Sequence, residues 1–158
     1  MFPLKAVYLN EIDRIRRLSN YDELKTIEVE RIVDRSKIKR NKAEDRVYVI
    51  GENKPFTGSA IVGLDGNKNI KGILFYKNGY SEKEVYEYYP NNQLQLRISQ
   101  KNDKNDGKGI EYYIDGRIKA ARYFKEDIIQ SDIEYRENGT TLRSFKMTEG
   151  LNGISTVY

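Results

Sequence analysis

The chain has 158 residues, of which 28 are Lys or Arg and 24 are Asp or Glu, so a third of it is charged while the formal net charge is only +4. It contains no Cys and no His, which removes disulfides and thiolate zinc sites together with the commonest general base and the commonest transition-metal ligand. Only 38% is apolar even with its 13 tyrosines counted, against about 45–50% in an average globular protein. The length therefore suits one domain, alone or with an extension, built around a thin core.

Leu4, Val7, Tyr8, Ile12, Ile15 and Leu18 recur at helical spacing behind Pro3, which predicts a helix over residues 4–18. The short apolar start is followed by Glu11, Asp13, Arg14, Arg16 and Arg17, without a long apolar region or a small-residue cleavage site. As written the chain reads as cytoplasmic, and as exported if a signal has been removed, so the compartment stays open. No window approaches the ~18 apolar residues that a membrane span requires. Ile27, Val29 and Val33 fit a partly alternating strand. The basic run Arg35, Lys37, Lys39, Arg40 and Lys42 reads as a solvated connection ahead of a strand from Val47 to Ile50.

From Pro55 onward the pattern is repetitive. Glu87-Tyr88-Tyr89 recurs 24 residues later as Glu111-Tyr112-Tyr113, with a weaker copy at Ile133-Glu134-Tyr135. Each is followed by a turn signal and an apolar residue: Asn91-Asn92 before Leu94, Asp115-Gly116 before Ile118, Asn138-Gly139 before Leu142. An earlier unit carries Asp65-Gly66 and then Lys77-Asn78-Gly79. Asn, Asp and Gly accept the positive φ of tight hairpin turns, and Tyr and Ile suit a half-buried pleated surface. A lone hairpin is marginal in water, so successive hairpins must pack side by side.

The expected fold is therefore mainly β, a meandering antiparallel sheet of about four hairpin units with a short N-terminal helical segment. The units begin near Pro55, Ser81, Gly107 and Ser131, and Ile154 to Tyr158 closes the sheet. Residues 1–45 form an extension or cap and residues 46–158 the repeat domain. Gly66, Asn92, Gly116 and Gly139 are the structural turn residues. Leu94, Ile118 and Leu142, each 24 residues from the last, are expected on one buried face.

Pro55-Phe56-Thr57-Gly58, the Tyr-Tyr-x-Asp-Gly unit from Tyr112 to Gly116, and Tyr76-Lys77-Asn78-Gly79 resemble the bacterial variant of the MORN repeat, as found in YwqK-family antitoxin-like proteins. The similarity covers about residues 46–158. Asn92 departs from it, standing where that family usually has Gly. The resemblance implies a binding role against a polypeptide toxin, and, because MORN repeats have been associated with anionic lipid headgroups, a possible alternative at a membrane surface.

Catalytic patterns fail one by one. Ser59, Ser81 and Ser131 have no triad partner and no S-x-x-K spacing. Glu84/Glu87 and Glu126/Asp127 read as the solvent face of strands. The stretch Asn102 to Gly107 is no calcium loop, since the position eleven beyond Asp103 is Ile114 and not a bidentate Glu; it reads as a turn. Gly58, Gly63 and Gly66 match neither phosphate-cradling pattern, and Asn138-Gly139-Thr140 lies at a hairpin turn. No cofactor and no metal is expected.

Three function classes follow in rank: a protein-binding module, a membrane-surface module, and an enzyme, which nothing supports. Nucleic acid is an unlikely partner, because residues 1–52 carry 12 basic and 10 acidic groups and neither part of the chain is a polycation. Tyr and Arg carry most interface energy, so Tyr86, Tyr88, Tyr112, Arg122, Tyr135 and Arg143 are the candidate partner-binding residues.

Overall fold

The computed structural model describes residues 31–64, 70–148 and 151–157. The helix expected over residues 4–18, the strand residues Ile27 and Val29, and the turn at Asp65-Gly66 lie outside these. The described chain is mainly β, and most of it is one meandering, mostly antiparallel sheet.

Its strands are β1 (Ile32–Asp34), β4 (Gly58–Leu64), β5 (Ile70–Lys77), β6 (Tyr80–Ser81), β7 (Lys83–Tyr88), β8 (Leu94–Lys101), β9 (Lys104–Tyr112), β10 (Ile118–Lys125), β11 (Ile128–Tyr135), β12 (Thr141–Thr148) and β13 (Leu151–Val157). From β4 onward neighbours in sequence are neighbours in the sheet, with β6 beside β5 as a two-residue return. The one parallel pairing is β1 on β4, with Val33 opposite Ala60. A separate hairpin, β2 (Ile38–Asn41) and β3 (Arg46–Val49), runs across residue 45. The basic run is thus no mere connection: Arg35–Lys37 is a single 3-10 turn capped by Asp34, and Lys39 and Arg40 belong to β2, where buried Ile38 supplies the anchor.

The two ends of the sheet use different turn chemistry. At one end two-residue turns reverse the chain at Asn78-Gly79, Asn102-Asp103 and Glu126-Asp127, all with positive φ, the combination that matches the twist of the flanking strands. Glu126 and Asp127, expected on a strand face, are therefore a turn. At the other end Asn92, Gly116 and Gly139 take φ of 65°, 89° and 83°. In each of these turns the preceding Asx side chain accepts a backbone N–H two residues on: Asn91 from Gln93, Asp115 from Arg117 and Asn138 from Thr140, all at 3.0 Å. The turns expected at Asn91-Asn92, Asp115-Gly116 and Asn138-Gly139 are where the hairpins reverse.

Hairpins are clasped to their neighbours at both ends. Asp103 Oδ1 accepts the Ser81 N–H at 2.6 Å, and 24 residues on Asp127 Oδ1 accepts the Asn105 N–H at 2.7 Å. At the opposite end the Tyr89 hydroxyl donates to the Tyr112 carbonyl at 2.9 Å and the Tyr113 hydroxyl to the Tyr135 carbonyl at 2.7 Å. The recurring Tyr-Tyr pair thus has divided duties, its second member tying one hairpin to the next.

The core is concentrated at the β1–β8 end. Ile61, Ile70, Ile73, Phe75, Tyr86, Tyr88 and Leu94 form one buried cluster. Ile38, Val47, Phe56, Ala60 and Tyr76 form another, in which the β2–β3 hairpin joins the main sheet. Beyond β8 the buried apolar side chains shrink to Ala120 and Phe124. Phe124 lies over Gly109, where an added Cβ would meet its ring at 2.7 Å.

The expectation that Leu94, Ile118 and Leu142 are equivalent buried residues is corrected by the register. Tyr88 pairs with Leu94 and Tyr112 with Ile118, but Tyr135 pairs with Thr141. Leu142 instead falls in the irregularity between Thr141 and Arg143, where β12 carries an extra residue. Burial also falls along the sheet, from 6% exposure at Leu94 to 45% at Ile118 and 40% at Leu142.

Candidate functional site

Side chains alternate between faces along each strand, so the register of β9–β12 assigns each residue to one of two surfaces. On the first, Glu111, Ala120, Glu134 and Arg143 lie in one row across the four strands, and Gly109, Arg122, Asp132 and Phe145 lie in the next. Arg122 sits at the centre, 2.9 Å from Asp132, 3.3 Å from Glu111 and 3.1 Å from Glu134. Arg143 pairs with Glu134 and lies 3.8 Å from Asp132, and Lys119 reaches Glu111 at 2.7 Å. Three carboxylates thus meet three cations in an electroneutral network.

That network is self-satisfying. Burial alone would raise the Glu111 carboxyl, but hydrogen bonds from Lys119 and Arg122 outweigh it and hold the group below the usual carboxylate range. The hydrogen bond from Arg143 lowers Glu134 in the same way, and Lys119 and Arg143 are raised by their carboxylate partners. On a sheet too poor in apolar residues for a second core, paired charge fills the place of packing.

The second surface has the opposite character. Its rows are Lys108, Tyr123, Ser131 and Lys146, then Ile110, Ala121, Ile133 and Ser144, followed by the pairs Tyr112–Ile118 and Tyr135–Thr141. No carboxylate occurs in these rows. Ile118 is 45% exposed, Tyr123 46% and Ile133 36%, and Lys108 and Lys146 are exposed as well. Among the described residues neither lysine forms an ion pair; the nearby Lys125 is engaged by Asp106 at 3.4 Å. The surface is continuous with the core through Tyr112, which packs on the cluster of Tyr86, Tyr88 and Leu94 and whose phenol is pushed up by burial.

The six candidate binding residues are divided by this geometry. Tyr86 and Tyr88 are buried in the core, where the Tyr86 hydroxyl donates to Glu84, so they are no contact residues at a free surface. Arg122 and Arg143 do come together, but around carboxylates on the first face. Tyr112 and Tyr135 belong to the second face and are half-buried. Among the turn residues, Asn92, Gly116 and Gly139 gather at one end of the sheet, and Gly66 lies outside the described residues.

Sequence reasoning missed Lys108, Ile118, Tyr123, Ile133 and Lys146 as a group. The available signal was parity: in β9 and β11 every carboxylate from Glu111 to Glu134 occupies one alternate set, and Ile110, Tyr112, Ile133 and Tyr135 occupy the other. Comparison with family models, with curated proteins and with solved structures returns no match.

Proposed function

We propose that this chain is a non-enzymatic protein-binding module that acts through the distal part of its sheet. The observation that carries the reading is the second face of β9–β12, where Ile118, Tyr123 and Ile133 stand exposed on a flat surface without carboxylates. Exposed contiguous apolar surface containing aromatic residues is the usual mark of an interaction site. The first face has its charges paired internally, and engaging it would break the ion pairs of Arg122.

In this reading the hairpins beginning near Pro55, Ser81, Gly107 and Ser131 are MORN-like units, and the resemblance to YwqK-type proteins makes the role that of an antitoxin or immunity protein against a polypeptide toxin. Clasped hairpins at a spacing of 24 residues, as at Asp103 and Asp127, support a repeat. Co-expression with the products of the reading frames beside its gene tests the role: the chain should co-purify with one of them and restore growth. Neither outcome for any of them removes the antitoxin role.

A further inference from the structure

Resting on the protein-binding reading, we propose that the second face of β9–β12 docks an acidic polypeptide segment, its carboxylates meeting Lys108 and Lys146 and its apolar side chains covering Ala121, Tyr123 and Ile133. Charge complementarity at fixed positions of the sheet favours this occupant. Lys108 and Lys146 occupy the two ends of a single row, with Tyr123 and Ser131 between them. Four adjacent strands at ~4.8 Å spacing set their Cα atoms about 14 Å apart.

Of the carboxylates within strands β9–β12, Glu111, Asp132 and Glu134 lie on the other face and Asp106 is engaged with Lys125, while Asp115, Glu126, Asp127 and Glu137 sit in the turns at the two ends of the sheet. Neither ammonium group forms an ion pair among the described residues, and the row they share holds no carboxylate. An apolar partner alone would leave them facing it uncompensated, which disfavours such partners, whereas an acidic one gains at both positions.

A membrane surface fits less well. Binding to anionic lipid typically uses clusters of 4–8 Lys or Arg, each worth about 1 kcal/mol near the surface, and this face offers two. Its rows of Ile, Ala and Tyr lie flat on the pleat and do not project as an insertable apolar helix or loop. A flat pleated surface instead complements the apolar stripe of another strand or helix.

The test is isothermal titration calorimetry of the full chain with a random Glu-Tyr copolymer, which presents carboxylates and apolar rings together. Polylysine and vesicles containing phosphatidylserine serve as comparison probes. The inference predicts binding of the copolymer and not of polylysine, weakening as salt rises from about 50 to about 300 mM. Lys108→Glu/Lys146→Glu should reduce the affinity roughly tenfold or more. Lys39→Glu/Lys42→Glu, the same charge change on the β2–β3 hairpin, should alter it less than about twofold.

Lys108→Gln/Lys146→Gln, checked by circular dichroism, gives the same direction without introducing acidic groups and guards against a folding defect. Equal losses in the two Glu variants would show a net-charge effect and overturn the inference, as would absence of copolymer binding. Vesicle binding that depends on Lys108 and Lys146 while the copolymer is ignored would replace it with the membrane. If the copolymer fails but Ile133→Glu still abolishes capture of a cellular protein, the binding module stands and only the acidic partner falls.

Discussion

Truncating Leu94 and Ile118 to alanine is a matched pair, because each change deletes three carbons from the residue that follows a tyrosine-rich turn. Leu94 is 6% exposed and belongs to the cluster with Tyr86 and Tyr88. At ~0.8 kcal/mol per buried methylene the lost transfer energy is about 2.4 kcal/mol, and the cavity left beside Tyr88 raises the cost to roughly 3 kcal/mol. Ile118 is 45% exposed, so about half of the transfer term applies and no enclosed cavity forms, giving roughly 1 kcal/mol. Urea unfolding followed by tyrosine fluorescence reads both, provided that the slopes agree. In thermal melts the difference of about 2 kcal/mol corresponds to some 4–8 °C. Equal losses would refute the account of a core that thins along the sheet.

Three further outcomes follow from local geometry. Gly109→Ala places a Cβ 2.7 Å from the Phe124 ring and should cost ~1–3 kcal/mol as overpacking; an unchanged urea midpoint would contradict that contact. Asp127→Ala removes the 2.7 Å bond to the Asn105 N–H and keeps a side chain at φ 70°, so it should cost ~1–2 kcal/mol, and Asp127→Gly less. Amide exchange at Asn105 should accelerate in both. Stability against pH should be flat between about 5 and 9, since there is no His. Glu111, Glu134 and Asp103 are lowered, so their contribution is complete above their unfolded values near 4 and is lost as pH falls through the folded ones. Lys119 is raised by its hydrogen bond to Glu111, and Tyr112 by burial, so theirs is lost only as pH rises past about 10. A step near pH 6.5 in the urea midpoint would be inconsistent with this set.

What could be read from the chain was the chemistry that acts locally. Asn-Asn, Asp-Gly and Asn-Gly announce hairpin reversals because positive φ is a property of those residues themselves, and the β architecture followed from their spacing. Glu126-Asp127 makes the same kind of turn but was hidden, because Glu rarely adopts positive φ and is held there by the Asp127 clasp to Asn105. The extra residues at Lys119 and Leu142 shift parity within a strand. Asn92 and Gly116 are 24 residues apart but Gly116 and Gly139 only 23, so a count of 24 lands on Leu142 when the structural equivalent is Thr141. The same limit explains the mixed binding set: Arg122 and Tyr123 are adjacent in sequence, yet they belong to opposite faces with opposite roles. Covering of the first strands by the β2–β3 hairpin depends on Ile38 and Val47 meeting Phe56 and Tyr76, a tertiary contact without a local signature.

The central claim is that a protein partner is bound by the carboxylate-free face and not by the charge network behind it. Affinity capture from cells of the source organism, quantified by mass spectrometry, tests it with three folded baits: wild type, Ile133→Glu and Arg143→Ala. Ile133 is 36% exposed on the second face, and the Arg143 side chain is 57% exposed on the first, so neither change should unfold the sheet. The account predicts one protein that is enriched by wild type and by Arg143→Ala and lost with Ile133→Glu. Equal recovery by wild type and Ile133→Glu, or loss with Arg143→Ala alone, would contradict it.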